Sequence, residues 1–90
     1  MGPQSATLTN VSASASSVTL LNAAGHARGR TIHNDSSSAL YVKFGTAASS
    51  TSFTVKLAGD AFYEFPQPCY SGVVTGVWAS ATGTARVTEW

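Results

Sequence analysis

The feature that most constrains this chain is a hydrophobic alternation of period two, which recurs from about residue 17 to the last residue. A helical period of 3.6 appears almost nowhere. Successive side chains on a strand point to opposite faces, so this alternation suits half-buried strands and gives a helix no continuous apolar stripe. Leu40, Val42 and Phe44 alternate with Tyr41 and Lys43, and Phe53, Val55 and Leu57 alternate with Thr54 and Lys56. Ser17–Leu21, Arg30–His33, Ala61–Phe65, Val73–Ala79 and Thr84–Trp90 complete a set of about seven predicted strands, rich in β-branched and aromatic residues.

Turn chemistry separates them. Asn34–Ser38 can satisfy its own backbone through side-chain oxygens and predicts a hairpin between the strand ending at His33 and the one starting near Leu40. Ala58-Gly59-Asp60 predicts the next hairpin, with Gly59 free to take a positive φ, and Ser80–Gly83 predicts the last. Pro66 and Pro68 lack backbone donors, so Phe65–Cys69 must end a strand or cross between sheets. Short strands with frequent turns and no intervening helix predict an all-β fold, an antiparallel β-sandwich or jelly-roll-like barrel of about seven to eight short strands.

Ninety residues suffice for one domain. A chain of this size buries only roughly 60–65% of its unfolded surface, so its core is thin and gains from reinforcement. Cys69 is alone and cannot form an internal disulfide, and one thiol with His26 and His33 makes no recognisable metal-ligand set. Association with other proteins is the reinforcement that remains. Residues 1–16 read as a flexible N-terminal arm and 17–90 as a single β-sandwich domain. Ser, Thr, Ala and Asn dominate the arm, and Leu8 and Val11 are its only large aliphatics after Met1. Such an arm can become an edge strand of its own sheet or of a neighbour's.

Charge narrows the partners. Five basic and four acidic residues leave a net charge of +1, with no Lys/Arg cluster to attract a phosphate backbone, so no nucleic-acid partner is expected. No apolar run is long enough to cross a bilayer, and the start shows no basic or apolar leader, so no membrane partner and no export are expected.

No catalytic, cofactor-binding or metal site is expected. A nucleophile needs a base in reach, and no Gly-x-Ser-x-Gly elbow surrounds any serine. His33 and Asp35 fall on one strand face, but a turn-stabilising Asp beside a partly exposed His explains the spacing. Asp35 and Asp60 sit in turns and Glu89 next to the last residue, which leaves Glu64 without an opposing acid for glycosidic chemistry. The glycine pairs Gly25/Gly29 and Gly72/Gly76 are not followed by a helix that could receive an anion. Cys69 reads as an inert, partly buried thiol, and Arg28 and Arg30 as solvated residues at the start of a strand.

The aromatics carry more information. Phe62 and Glu64 face one way and Tyr63 and Phe65 the other, so one large aromatic must lie outside the main core unless both faces are covered. Tyr41 stands opposite Leu40 and Val42 in the same way. Tyr and Trp anchor protein interfaces, which makes Leu8, Val11, Tyr41, Tyr63 and Trp90 the candidate partner or self-association contacts.

The run Arg30–Gly45, with Asn34-Asp35-Ser36 leading into Leu40-Tyr41-Val42-Lys43-Phe44-Gly45, resembles small virion proteins of tailed bacteriophages. Ala48–Leu57, Tyr63-Glu64, Tyr70-Ser71-Gly72 and Val77-Trp78 continue the similarity from about residue 17 to the end. The resemblance implies a non-enzymatic virion component with a β-sandwich fold, of the capsid decoration or cement, head-fibre or minor capsid type. It implies a homo-oligomer, a trimer favoured, made in the host cytoplasm and bound to the major capsid protein or another virion protein. No ligand residues carry over. Two rival readings are a tail or baseplate adaptor and a carbohydrate-binding module that stacks sugars on Tyr41, Tyr63 and Trp78.

Overall fold

The structure is a computed structural model that describes residues 5–90. Among them eight strands run in order: β1 (Thr7–Ser12), β2 (Val18–Leu21), β3 (Arg30–Asp35), β4 (Leu40–Phe44), β5 (Val55–Leu57), β6 (Phe62–Glu64), β7 (Val74–Trp78) and β8 (Thr84–Glu89). They form two four-stranded sheets, β1-β8-β3-β6 and β2-β7-β4-β5, paired antiparallel throughout. This is the strand order of a jelly roll, in which successive strands alternate between two facing sheets. The expected all-β sandwich is the fold observed.

That order corrects the expected hairpins. Asn34–Ser38, Ala58–Asp60 and Ser80–Gly83 each carry the chain from one sheet to the other, so none joins paired neighbours. The connection that stays within a sheet is the long one from β4 to β5, across residues 45–54. Short links predict neighbours in space, but at the rim of a sandwich the nearest strand can belong to the opposite sheet. The corner after β6 does cross between sheets, with Gln67–Pro68 in cis. Positive φ near the β5–β6 link falls on Asp60 (66°) and not on Gly59, whose missing Cβ instead leaves room for the backbone of Ser36 and Ser37.

Of the segment read as an arm, Thr7–Ser12 pairs with β8 over six residues as an edge strand of its own sheet. The strand expected over Phe53–Leu57 is shorter: Val55 and Leu57 face inward as β5, while Phe53 lies exposed ahead of it against Tyr41.

The inward faces meet in a core of Leu20, Leu21, Ile32, Leu40, Val42, Leu57, Phe65, Val74, Trp78, Ala85 and Val87. At one end Phe44 stacks between Phe65 and Tyr70, with ring centroids 4.8 and 4.7 Å apart. Gly76 allows Leu20 and Leu40 to close over β7 from both sides, since a Cβ there would meet Leu20 at 2.7 Å and Leu40 at 3.0 Å. The outer face of β7 is covered too. The β4–β5 connection folds back across it: Thr75 Oγ1 donates to the Gly45 carbonyl (2.7 Å) and the Ala48 amide donates to Ser17 Oγ (3.0 Å).

Candidate functional site

β3 carries two buried polar side chains that organise the ends of the sandwich. The inward parity that buries Ile32 also turns Arg30 and Asn34 inward, and all three are 0% exposed. The Arg30 guanidinium pairs with Glu89 (Nε–Oε2 2.7 Å) and donates to the carbonyls of Tyr70 (3.0 Å), Gly72 (2.7 Å) and Asn22 (2.7 Å). Its planar fork ties together the ends of β2 and β8 and the segment leading into β7, a geometry that a lysine could not satisfy. Arg30 is thus a buried clamp, and the expectation of a solvated position fails because strand parity outweighs the usual exposure of arginine.

At the opposite end, Asn34 Nδ2 donates to the carbonyls of Ser38 (2.8 Å), Ala58 (3.0 Å) and Leu57 (3.1 Å), and Asn34 Oδ1 accepts from Trp78 Nε1 at 3.1 Å. The Trp78 indole is therefore committed to the core. Among the described residues no buried side-chain polar atom lacks a partner. These groups hold the scaffold; their hydrogen-bonding capacity is already used.

The His33/Asp35 juxtaposition does not form a pair. Both side chains face outward on the β1-β8-β3-β6 sheet, but His33 Nε2 lies 3.0 Å from Asp60 and Asp35 accepts from Arg86 at 2.9 Å. Among the described residues, no three His, Cys, Asp or Glu side chains gather closely enough to hold a metal ion. The Cys69 thiol is free and partly buried; burial raises its pKa, with the Arg30 charge opposing and Glu89 reinforcing the shift.

The expected contact residues occupy different environments. Leu8 is 63% exposed on the outer face of the edge strand β1, whereas Val11 packs inward on the core. Tyr41 faces outward on the other sheet, half-buried under Phe53 (centroids 5.1 Å) with Lys56 Nζ 5.6 Å above its ring. Tyr63 turns inward opposite Ile32 and packs on Phe65. Trp90 continues the β3–β8 pairing, its amide donating to the Gly29 carbonyl (3.0 Å) and its carbonyl accepting from Arg28 (2.7 Å), and its ring lies over the space left by the missing Cβ of Gly29. Tyr41, Tyr63 and Trp78 share no face, so they make no platform for stacking sugars. The exposed aromatic of β6 is Phe62, at 63%. Parity sets Phe62 opposite Tyr63 and Phe65, and the packing of Tyr63 on Phe65 leaves Phe62 outside.

Two surface features result. A cleft of about 450 Å³ lies between the β4–β5 connection and the sheet beneath it, lined by Ala48, Ser49 and Ser50 on one side and Ser17, Tyr41 and Val77 on the other. The outer face of the β1-β8-β3-β6 sheet is broad and open, with Leu8 at one edge, Phe62 at the other, and Thr31, His33, Arg86 and Thr88 between them. The chain matches no family model, and neither the curated proteins nor the solved structures contain a match to it.

Proposed function

We propose that this chain is a non-enzymatic structural subunit of a tailed-phage particle, a capsid decoration, cement or minor capsid protein that binds the shell and its own copies. The observation that carries the reading is the open outer face of the β1-β8-β3-β6 sheet, with Leu8 and Phe62 each 63% exposed at its two edges. Large apolar side chains exposed at the edges of a face whose Arg86 and Asp35 charges pair with each other suit burial against another protein.

Three further points support it. The jelly-roll order is one that viral capsid domains use repeatedly, although fold alone fixes no function. The buried polar groups of β3 are taken up by the scaffold. The similarity of Arg30–Gly45 to small virion proteins points the same way. A modest affinity per copy becomes strong attachment when many copies bind one repeating shell.

The test is the composition of the particle. Density-gradient-purified virions of the phage that encodes the chain should contain it in many copies, and electron cryo-microscopy should place the sandwich on the capsid. Replacing Leu8 and Phe62 together by aspartate should release it from the particle while leaving its circular-dichroism spectrum unchanged. Density on the tail would favour the adaptor reading, and absence from the particle would refute both.

A further inference from the structure

We infer that the edge of β1 is a self-association site, at which two copies pair β1 against β1 antiparallel about a twofold axis and join their sheets into one of eight strands. The inference rests on the self-association part of the proposed function and names the surface and geometry responsible for it.

Edge strands expose unpaired N–H and C=O groups, and stable monomers guard them with short length, bulges, proline or charge. Among the described residues the two sheets end on β1, β6, β2 and β5. β5 and β6 are each three residues long; the first carries the exposed Lys56, and the second carries Glu64 and has Pro66 two residues beyond its end. β2 is broken by an irregularity between Thr19 and Leu21. β1 has none of these guards. It spans six residues in unbroken register with β8, contains no charge and no proline, and is exposed at every position except the half-buried Val11. Its backbone bonds within the described residues go to β8, so its other edge presents donors and acceptors at the spacing of a further strand.

The occupant is a second copy of this strand. An uncharged Thr-Leu-Thr-Asn-Val-Ser strand meets its own antiparallel image without like-charge opposition, as a twofold contact requires. Parity then limits the register. Directly opposed residues lie on the same face of a sheet, so the axis must pass through a residue and not between two. Centred on Thr9 it sets Leu8 against the copy's Asn10; centred on Asn10 it sets Leu8 against the copy's Ser12. Either register pairs five of the six residues of β1. A contact of this size is well below the roughly 20–30 residues a side of a standard interface, so it is weak in dilute solution and effective only when copies are held close together on a larger object.

The experiment is sedimentation of the full chain over a concentration series reaching about 1 mM, with two sets of variants. The wild-type chain should show a concentration-dependent dimer, and Asn10→Lys, which sets ammonium groups near each other across the axis, should remain a monomer with an unchanged circular-dichroism spectrum. On a Cys69→Ser background, Thr9→Cys or Asn10→Cys should form an intermolecular disulfide under mild oxidation, because directly opposed residues lie within disulfide reach. An oligomer that survives Asn10→Lys, a trimer included, or a dimer that neither cysteine cross-links, overturns the inference and leaves self-association standing through another surface. A monomer at every concentration overturns both.

Discussion

Replacing Arg30 by methionine removes the head group of the clamp while keeping most of its stem volume, so the loss falls on the polar network. Arg30 is 0% exposed and Glu89 26% exposed at the side chain. Removing one partner of a buried ion pair costs about 3–5 kcal/mol. The carbonyls of Asn22, Tyr70 and Gly72 also lose a donor, at about 1–3 kcal/mol each where water cannot replace it. These carbonyls lie in connecting segments that water can reach, so the expected total stays near the pair's own 3–5 kcal/mol. A domain of ninety residues has roughly 5–13 kcal/mol in all. The variant should therefore lose at least about a quarter of its stability and melt lower by roughly 4–8 °C per kcal/mol lost. Urea unfolding followed by tryptophan fluorescence gives the measurement, since Trp78 and Trp90 lie at opposite ends of the sandwich. Arg86→Met is the control: its pair with Asp35 is 42% and 47% exposed and should be worth about 0.2–1 kcal/mol. Arg30→Lys keeps the charge without the fork and should fall between the two. If Arg30→Met and Arg86→Met unfold at the same urea concentration, the clamp contributes nothing and the reasoning fails.

Asn34→Leu should cost about 2–4 kcal/mol, because it leaves the Trp78 indole N–H and the Leu57 carbonyl buried without partners; the same urea assay measures it, and a loss under 1 kcal/mol would mean that water or a shifted backbone replaces the amide. Gly83→Ala should cost about 1–3 kcal/mol, since Gly83 holds φ at +95° and an added Cβ would press on Ser36 and lie 2.8 Å from the Asp35 carbonyl; a melting temperature equal to wild type would contradict that. Cys69 should react with iodoacetamide more slowly than the same thiol in urea, because burial holds its pKa up and lowers the thiolate fraction. The raised pKa also makes the neutral thiol's stabilising contribution complete below the unfolded thiol's pKa and lost as pH rises through the folded one, so Cys69→Ser should flatten the alkaline end of the stability profile.

The strands were legible because alternation is local. Leu40–Phe44 and Val74–Trp78 can be read from their own residues and the turns beside them. The pairing was not, because a link such as Ser80–Gly83 has the composition of a hairpin whether it joins neighbours or crosses the rim of a sandwich. The clamps were half legible. Strand parity places Arg30 and Asn34 with Ile32, but their partners Glu89 and Trp78 are 59 and 44 residues away, and nothing local announces them. Tyr63 and Phe62 show the same limit: alternation says that they face opposite ways, and only the packing of Tyr63 on Phe65 says which is inside.

The position of both clamps on β3 has a reason in register. Strands built from Ser, Thr, Ala and Val fix their pairing weakly, since a slip replaces one small side chain by another of similar size. A slip of β3 is costly, because it is an internal strand paired on both sides, with β8 and with β6. Moving it by one residue would turn Arg30, Ile32 and Asn34 to the solvent and bring Thr31, His33 and Asp35 into the core. The hydrophobic loss would be confined mainly to Ile32, but the polar loss would be much larger: Glu89, the Trp78 indole and the connecting carbonyls would lose their partners together, and Asp35 would be buried without its bond to Arg86. The two residues thus hold one register against its nearest competitors, a role better attested for buried polar groups than any net gain in stability.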